Sequence, residues 1–217
     1  MRTLRILAAY VLTVSIAGWM LADRPTLAED RDVTVINMLP GQVMFEFVGQ
    51  VINVPNTTTS DQFGYLSFIR GVSPIFNGTP QNEATAKFTF FRATTTERVI
   101  SNGPLRIVNR TGTLTFYVDP ASTPDFSNPS TFQSGSPILV ARMRQQVVSD
   151  TANGVFTVVN ENTITSTTAF SVGGNQFMLG QPGGIFRTVL TGQLNSTPPP
   201  TGYFAGYEIG VKNGEND

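Results

Sequence analysis

The chain has 217 residues, with 14 Lys or Arg against 15 Asp or Glu, no His, no Cys and one Trp. That composition excludes a Ser-His-Asp triad, a thiol nucleophile and the usual ligand sets for zinc, copper and non-haem iron. A near-neutral charge without a basic run argues against nucleic acid or an anionic membrane surface as partner.

In chain order, residues 1–28 read as a signal peptide, with a retained anchor as the alternative. A basic "MRTLR" precedes the uncharged run Ile6–Ala22, and Thr26-Leu27-Ala28 supplies a small-residue cleavage site. The localisation expected is secreted, periplasmic or cell-envelope, with no membrane span after cleavage. An exported domain without Cys must hold together by its core alone. That suits a bacterial envelope protein better than a small disulfide-stapled module.

The rest is a succession of Val-, Ile-, Thr- and Phe-rich runs punctuated by Gly, Pro, Asn, Asp and Ser, the pattern of an all-β domain. Strands are predicted at Val33–Asn37, Gln42–Val54, Gln62–Ile69, Ala84–Ala93, Glu97–Ser101, Leu105–Asn109, Thr113–Val118, Ile138–Ser149, Val155–Ser166, Gln176–Leu179, Ile185–Leu194 and Tyr203–Val211. Asn109–Gly112 ("NRTG") is predicted to be a tight turn. In Gln42–Val54 the residues Val43, Phe45, Phe47 and Val51 share one face, opposite Met44, Glu46, Val48 and Gln50. One apolar face and one mixed face fit a single antiparallel β-barrel of about eight to ten strands, with a β-sandwich as the alternative. The domain spans 29–196, and a Pro-rich connection with a C-terminal strand occupies 197–217.

The Pro- and Ser-rich connection Asp119–Pro137 is long enough to suggest a lid or binding loop. Its Asp119, Asp125 and Asn128 match no calcium-loop spacing and read as turn formers. The Gly-rich pieces "VGGNQ" and "GQPGG" lack the helix and Lys-Ser/Thr pair of a phosphate loop. No cofactor and no metal site is indicated.

The longest hairpin, around Asn153-Gly154, carries polar residues on both faces. Counting outward from the turn without a bulge, Val148 opposes Phe156, Arg144 opposes Asn160 and Arg142 opposes Asn162. If the Phe156 face points inward, this pairing makes Arg142, Arg144, Asn160 and Asn162 a polar cap at one end of the barrel. These four are the predicted ligand-binding residues.

The function expected is binding of a small hydrophobic or amphipathic ligand inside the barrel. Phe-rich strands could line a pocket, and Arg could clamp a carboxylate. The shape expected is of the lipocalin or allene-oxide-cyclase kind, although no motif of those families can be matched residue by residue. A cyclase or isomerase working without a cofactor is the second reading, with Glu46 and Glu161 as its catalytic candidates. Glu97 and Glu208 are the other strand-borne glutamates, and Arg92, Arg98, Arg106, Arg110 and Arg187 complete the strand arginines. A structural or surface-interaction protein is the third reading. Ligand identity and oligomeric state stay open.

Overall fold

A computed structural model describes residues 32–121, 123–195 and 201–211. The proposed signal segment lies outside the described residues. Alternating burial along nearly every long strand shows why the chain closes on itself. The inward set of each is Phe, Leu, Val, Met or Gly with a few polar residues, and the outward set is largely Thr, Gln, Glu and Arg. Such a sheet must hide one face, and rolling it into a barrel does so without leaving an unpaired edge.

The barrel strands are β2 (Val43–Asn53), β3 (Thr59–Ile69), β4 (Phe88–Asn102), β5 (Leu105–Val118), β6 (Ser136–Asp150), β7 (Val155–Thr167), β10 (Ile185–Asn195) and β11 (Thr201–Val211). They form a closed eight-stranded antiparallel barrel in the order β10-β11-β2-β3-β4-β5-β6-β7. The fold is therefore the predicted barrel, lipocalin-like in shape, and not a sandwich. The C-terminal strand β11 pairs with β10 on one side and β2 on the other, so it closes the sheet.

Three further strands, β1 (Val33–Ile36), β8 (Phe170–Val172) and β9 (Asn175–Leu179), make a small sheet in the order β1-β9-β8. Its Phe170, Val172, Phe177 and Leu179 join the barrel core beside Phe45, Phe88, Phe116 and Phe186. The Phe88 and Phe170 rings meet edge to face at 5.4 Å. This end of the barrel is filled by side chains. The hairpins β2–β3, β4–β5 and β6–β7 turn at the opposite end.

Two local predictions need correction. The "NRTG" segment is not a turn: Arg110 to Gly112 lie inside β5, which runs unbroken to Val118. Gly112 is needed because its position faces the backbone of Ala93 on β4, where a Cβ would collide with the Ala93 carbonyl. The predicted strands Ala84–Ala93 and Glu97–Ser101 are one strand from Phe88, preceded by a 3-10 turn at Glu83–Thr85. The register shift between Thr96 and Arg98 marks Glu97 as the bulged residue that disguised this continuity.

The long connection after β5 packs against the outside of the barrel. Phe132, fully buried in the 3-10 turn Pro129–Gln133, lies 5.3 Å from Phe63 and 4.9 Å from Phe126. The Thr89 hydroxyl donates to the Phe132 carbonyl at 2.8 Å. These contacts anchor the segment on β3 and β4, and they explain why Phe63 and Tyr65, on the outward face of β3, are buried. Asp119 and Asp125 act as turn formers: their carboxylates accept from the backbone N–H of Ala121 and Ser127 at 2.9 and 2.8 Å.

Candidate functional site

The open end of the barrel holds a cavity of about 290 Å³. The apolar part of its wall comes from six strands: Val51, Val108, Val147, Phe156, Val158, Leu190, Leu194 and Phe204 all line it. Thr57, Thr58 and Thr59 of the β2–β3 hairpin stand at the rim. Glycine makes part of this space. A Cβ on Gly49 would lie 2.7 Å from the Phe204 ring, and one on Gly192 would run into the Phe156 ring. Both rings lean over glycines of neighbouring strands, which sets the width of the chamber.

Two guanidinium groups share this chamber. Arg106 and Arg110 both line it, and Arg106, Val108 and Arg110 alternate on the inward face of β5. Arg110 reaches across three strands. It donates to Asn53 Oδ1 at 2.9 Å, Ser60 Oγ at 3.1 Å and Thr96 Oγ1 at 3.3 Å. Burial, with the charge of Arg106 added, lowers the Arg110 pKa to about 10. Among the described residues, neither arginine has a carboxylate within ion-pair distance.

Beneath the cavity the interior turns polar. Gln62 and Gln145 exchange side-chain hydrogen bonds of 3.0 and 3.2 Å and bridge the interior from β3 to β6. Strand pairing then places Asn160 beside Gln145, Thr188 beside Asn160 and Glu208 beside Thr188. Arg92 pairs with Gln62 in the β3–β4 register and projects into the same layer. Its Nη2 donates to Glu208 Oε1 at 2.9 Å, and both side chains are 0% exposed. The guanidinium lies 4.7 Å from the ring centres of both Phe47 and Phe90, which meet edge to face at 5.5 Å, so cation–π attraction replaces part of its lost hydration. The Thr188 hydroxyl donates to the same carboxylate oxygen at 3.0 Å, and Asn162 Nδ2 donates to Thr188 at 2.9 Å.

This belt is incompletely satisfied. Among the described residues, both amide atoms of Asn160, Oδ1 of Asn162, Nε and Nη1 of Arg92 and Oε2 of Glu208 are buried without a hydrogen-bond partner. Burial accordingly dominates the titration of the pair. It pushes the Glu208 carboxyl up despite the opposing pull of Arg92 and Thr188, and it lowers Arg92.

The four predicted ligand residues do not converge. Asn160 and Asn162 face inward and are 0% exposed, whereas Arg142 and Arg144 are exposed on the outer wall. The register explains the separation. Asp150 pairs with Val155, so Gln145 opposes Asn160, Met143 opposes Asn162 and Arg144 opposes Glu161. The pairing differs by one residue from the one counted at the turn, and one residue moves a side chain to the other face. The Phe156 face does point inward, but its partners across the hairpin are Met143 and Gln145. Glu46 and Glu161, the catalytic candidates, are also exposed on the outer wall, and Glu161 pairs loosely with Arg187 at 3.8 Å. Sequence reasoning passed over Gln62, Gln145 and Thr188. Arg92, Arg106, Arg110 and Glu208, which it noted among the strand-borne charges, face inward.

The chain matches no family model, no curated protein and no solved structure. Fold and site therefore define its class among the described residues: a closed eight-stranded antiparallel β-barrel with a filled end, a buried polar belt and a largely apolar chamber at the other end.

Proposed function

We propose that this protein is an exported barrel that binds a small hydrophobic or amphipathic molecule in its open end. The observation that carries the reading is the chamber itself, a cavity of about 290 Å³ with a largely apolar lining at the end that the side chains of the described residues leave unfilled. Apolar walls with a few convergent polar groups are the usual make-up of a small-molecule site. The basic, then apolar N-terminus supports export. Charged residues on the outer wall, among them Glu46, Arg142, Arg144 and Glu161, favour a barrel surrounded by water over one set in lipid.

Thermal unfolding with a panel of fatty acids, terpenoids and small aromatic compounds tests the reading. A bound ligand raises the melting temperature, and Val147→Phe, which fills the chamber, removes the shift. A panel without any shift counts against ligand binding.

A further inference from the structure

We infer that the chamber selects anionic amphiphiles, holding a carboxylate between Arg110 and Arg106 with the apolar tail against Phe156, Val158 and Leu190. The inference rests on the cavity reading and adds the chemical class of the ligand.

Three observations carry it. The first is placement: two cationic side chains line a chamber whose wall is otherwise mostly aliphatic and aromatic. The second is the lack of compensation. Arg110 is tied down by three neutral oxygens, those of Asn53, Ser60 and Thr96, and by no carboxylate among the described residues. A largely buried guanidinium is normally paired with an anion, because desolvating it alone is costly. Here the second nearby charge is another cation, and its repulsion adds to the effect of burial on Arg110. An anion between the two would relieve both penalties. The third is preorganisation. The three hydrogen bonds hold the Arg110 guanidinium in one orientation before any ligand arrives, so little side-chain entropy remains to be lost on binding.

The contrast with the deeper arginine sharpens the assignment. Arg92 has its own carboxylate, Glu208, and two aromatic faces. It is internally compensated and is not among the residues lining the chamber. Arg110 lines the chamber and, among the described residues, has no carboxylate within ion-pair distance.

The test uses a matched pair of probes, octanoate and octan-1-ol, titrated calorimetrically into the full barrel domain. The two share one tail and differ in the charge of the head. Octanoate is expected to bind at least tenfold more tightly, the scale of a charge-assisted hydrogen bond. Arg110→Gln should reduce octanoate affinity about tenfold and leave octan-1-ol unchanged. Arg110→Lys should retain most of the preference, and Arg106→Gln should weaken octanoate by a smaller factor. Arg106 is exposed at the rim, so that variant keeps the test available if Arg110→Gln folds poorly. Equal affinity for the two probes, or equal loss of both in the arginine variants, overturns the anion assignment and leaves the cavity reading standing. Binding of neither probe overturns both.

Discussion

Arg92 and Glu208 are 116 positions apart in the chain and meet at 2.9 Å inside the barrel, on strands β4 and β11, without exposure to solvent. Their pairing crosses the interior and ties the C-terminal strand to the middle of the sheet. An ion pair in this setting loses much of its Coulombic gain to desolvation, and here three of its polar atoms lack partners among the described residues. The pair therefore adds little net stability over an apolar filling of the same space. Removing one member strands the other. We expect Glu208→Ala or Arg92→Ala to cost about 3–5 kcal/mol, and the double substitution Arg92→Met/Glu208→Leu to be neutral or stabilising. A double-mutant cycle by urea unfolding measures both.

The same pair predicts a pH dependence. Burial raises the Glu208 pKa above its ordinary value of 4.5. The folded chain then keeps this proton at pH values where the unfolded chain has lost it. The stabilising contribution is complete below the unfolded value and is lost as pH rises through the folded one. Relative to Glu208→Gln, the wild type should lose stability as the pH rises from 4.5 upward. Unfolding free energies of the two proteins across that range give the slope, and parallel curves would contradict the assignment.

Asn160 is fully buried, and neither of its amide atoms has a hydrogen-bond partner among the described residues. An unsatisfied buried amide costs about 1–3 kcal/mol. Asn160→Leu, close in size and apolar, should raise the stability by an amount in that range. A loss of stability would mean that the amide is satisfied in solution.

Gly192 sits where a Cβ would strike the Phe156 ring and the Tyr203 carbonyl. Gly192→Ala should cost about 1–3 kcal/mol through overpacking. It should also push Phe156 into the chamber, so that ligand affinity falls together with the melting temperature. Distant outward-facing changes such as Arg142→Ala should alter neither, which separates the chamber from the outer wall.

At the β6–β7 turn, the Asp150 carboxylate accepts from Asn153 Nδ2 at 2.6 Å and from the N–H of Ala152 at 2.9 Å. Hydrogen bonding from Asn153 holds its pKa below the usual carboxylate value of 3.8. A lowered carboxylate contributes stability above the unfolded value and loses it as pH falls through the folded one. Amide exchange in Ala152 and Asn153 should therefore gain protection, relative to Asp150→Ala, only above that range.

By itself the sequence determined the class of fold, because period-2 burial leaves a physical trace in the order of residues: Phe45, Phe47 and Val51 on one face, Glu46 and Gln50 on the other. Composition likewise removed His- and Cys-based chemistry, since neither residue occurs in the chain. The site was decided by tertiary structure, for two reasons. Facing across a hairpin depends on register, and a single residue at the turn sends Arg142 and Arg144 outward while Asn160 and Asn162 go in. And the contacts that matter join strands far apart in the chain. Gln62 with Gln145, Arg92 with Glu208, and Arg110 with Asn53 have no local signature, since barrel closure brings them together and their spacing does not.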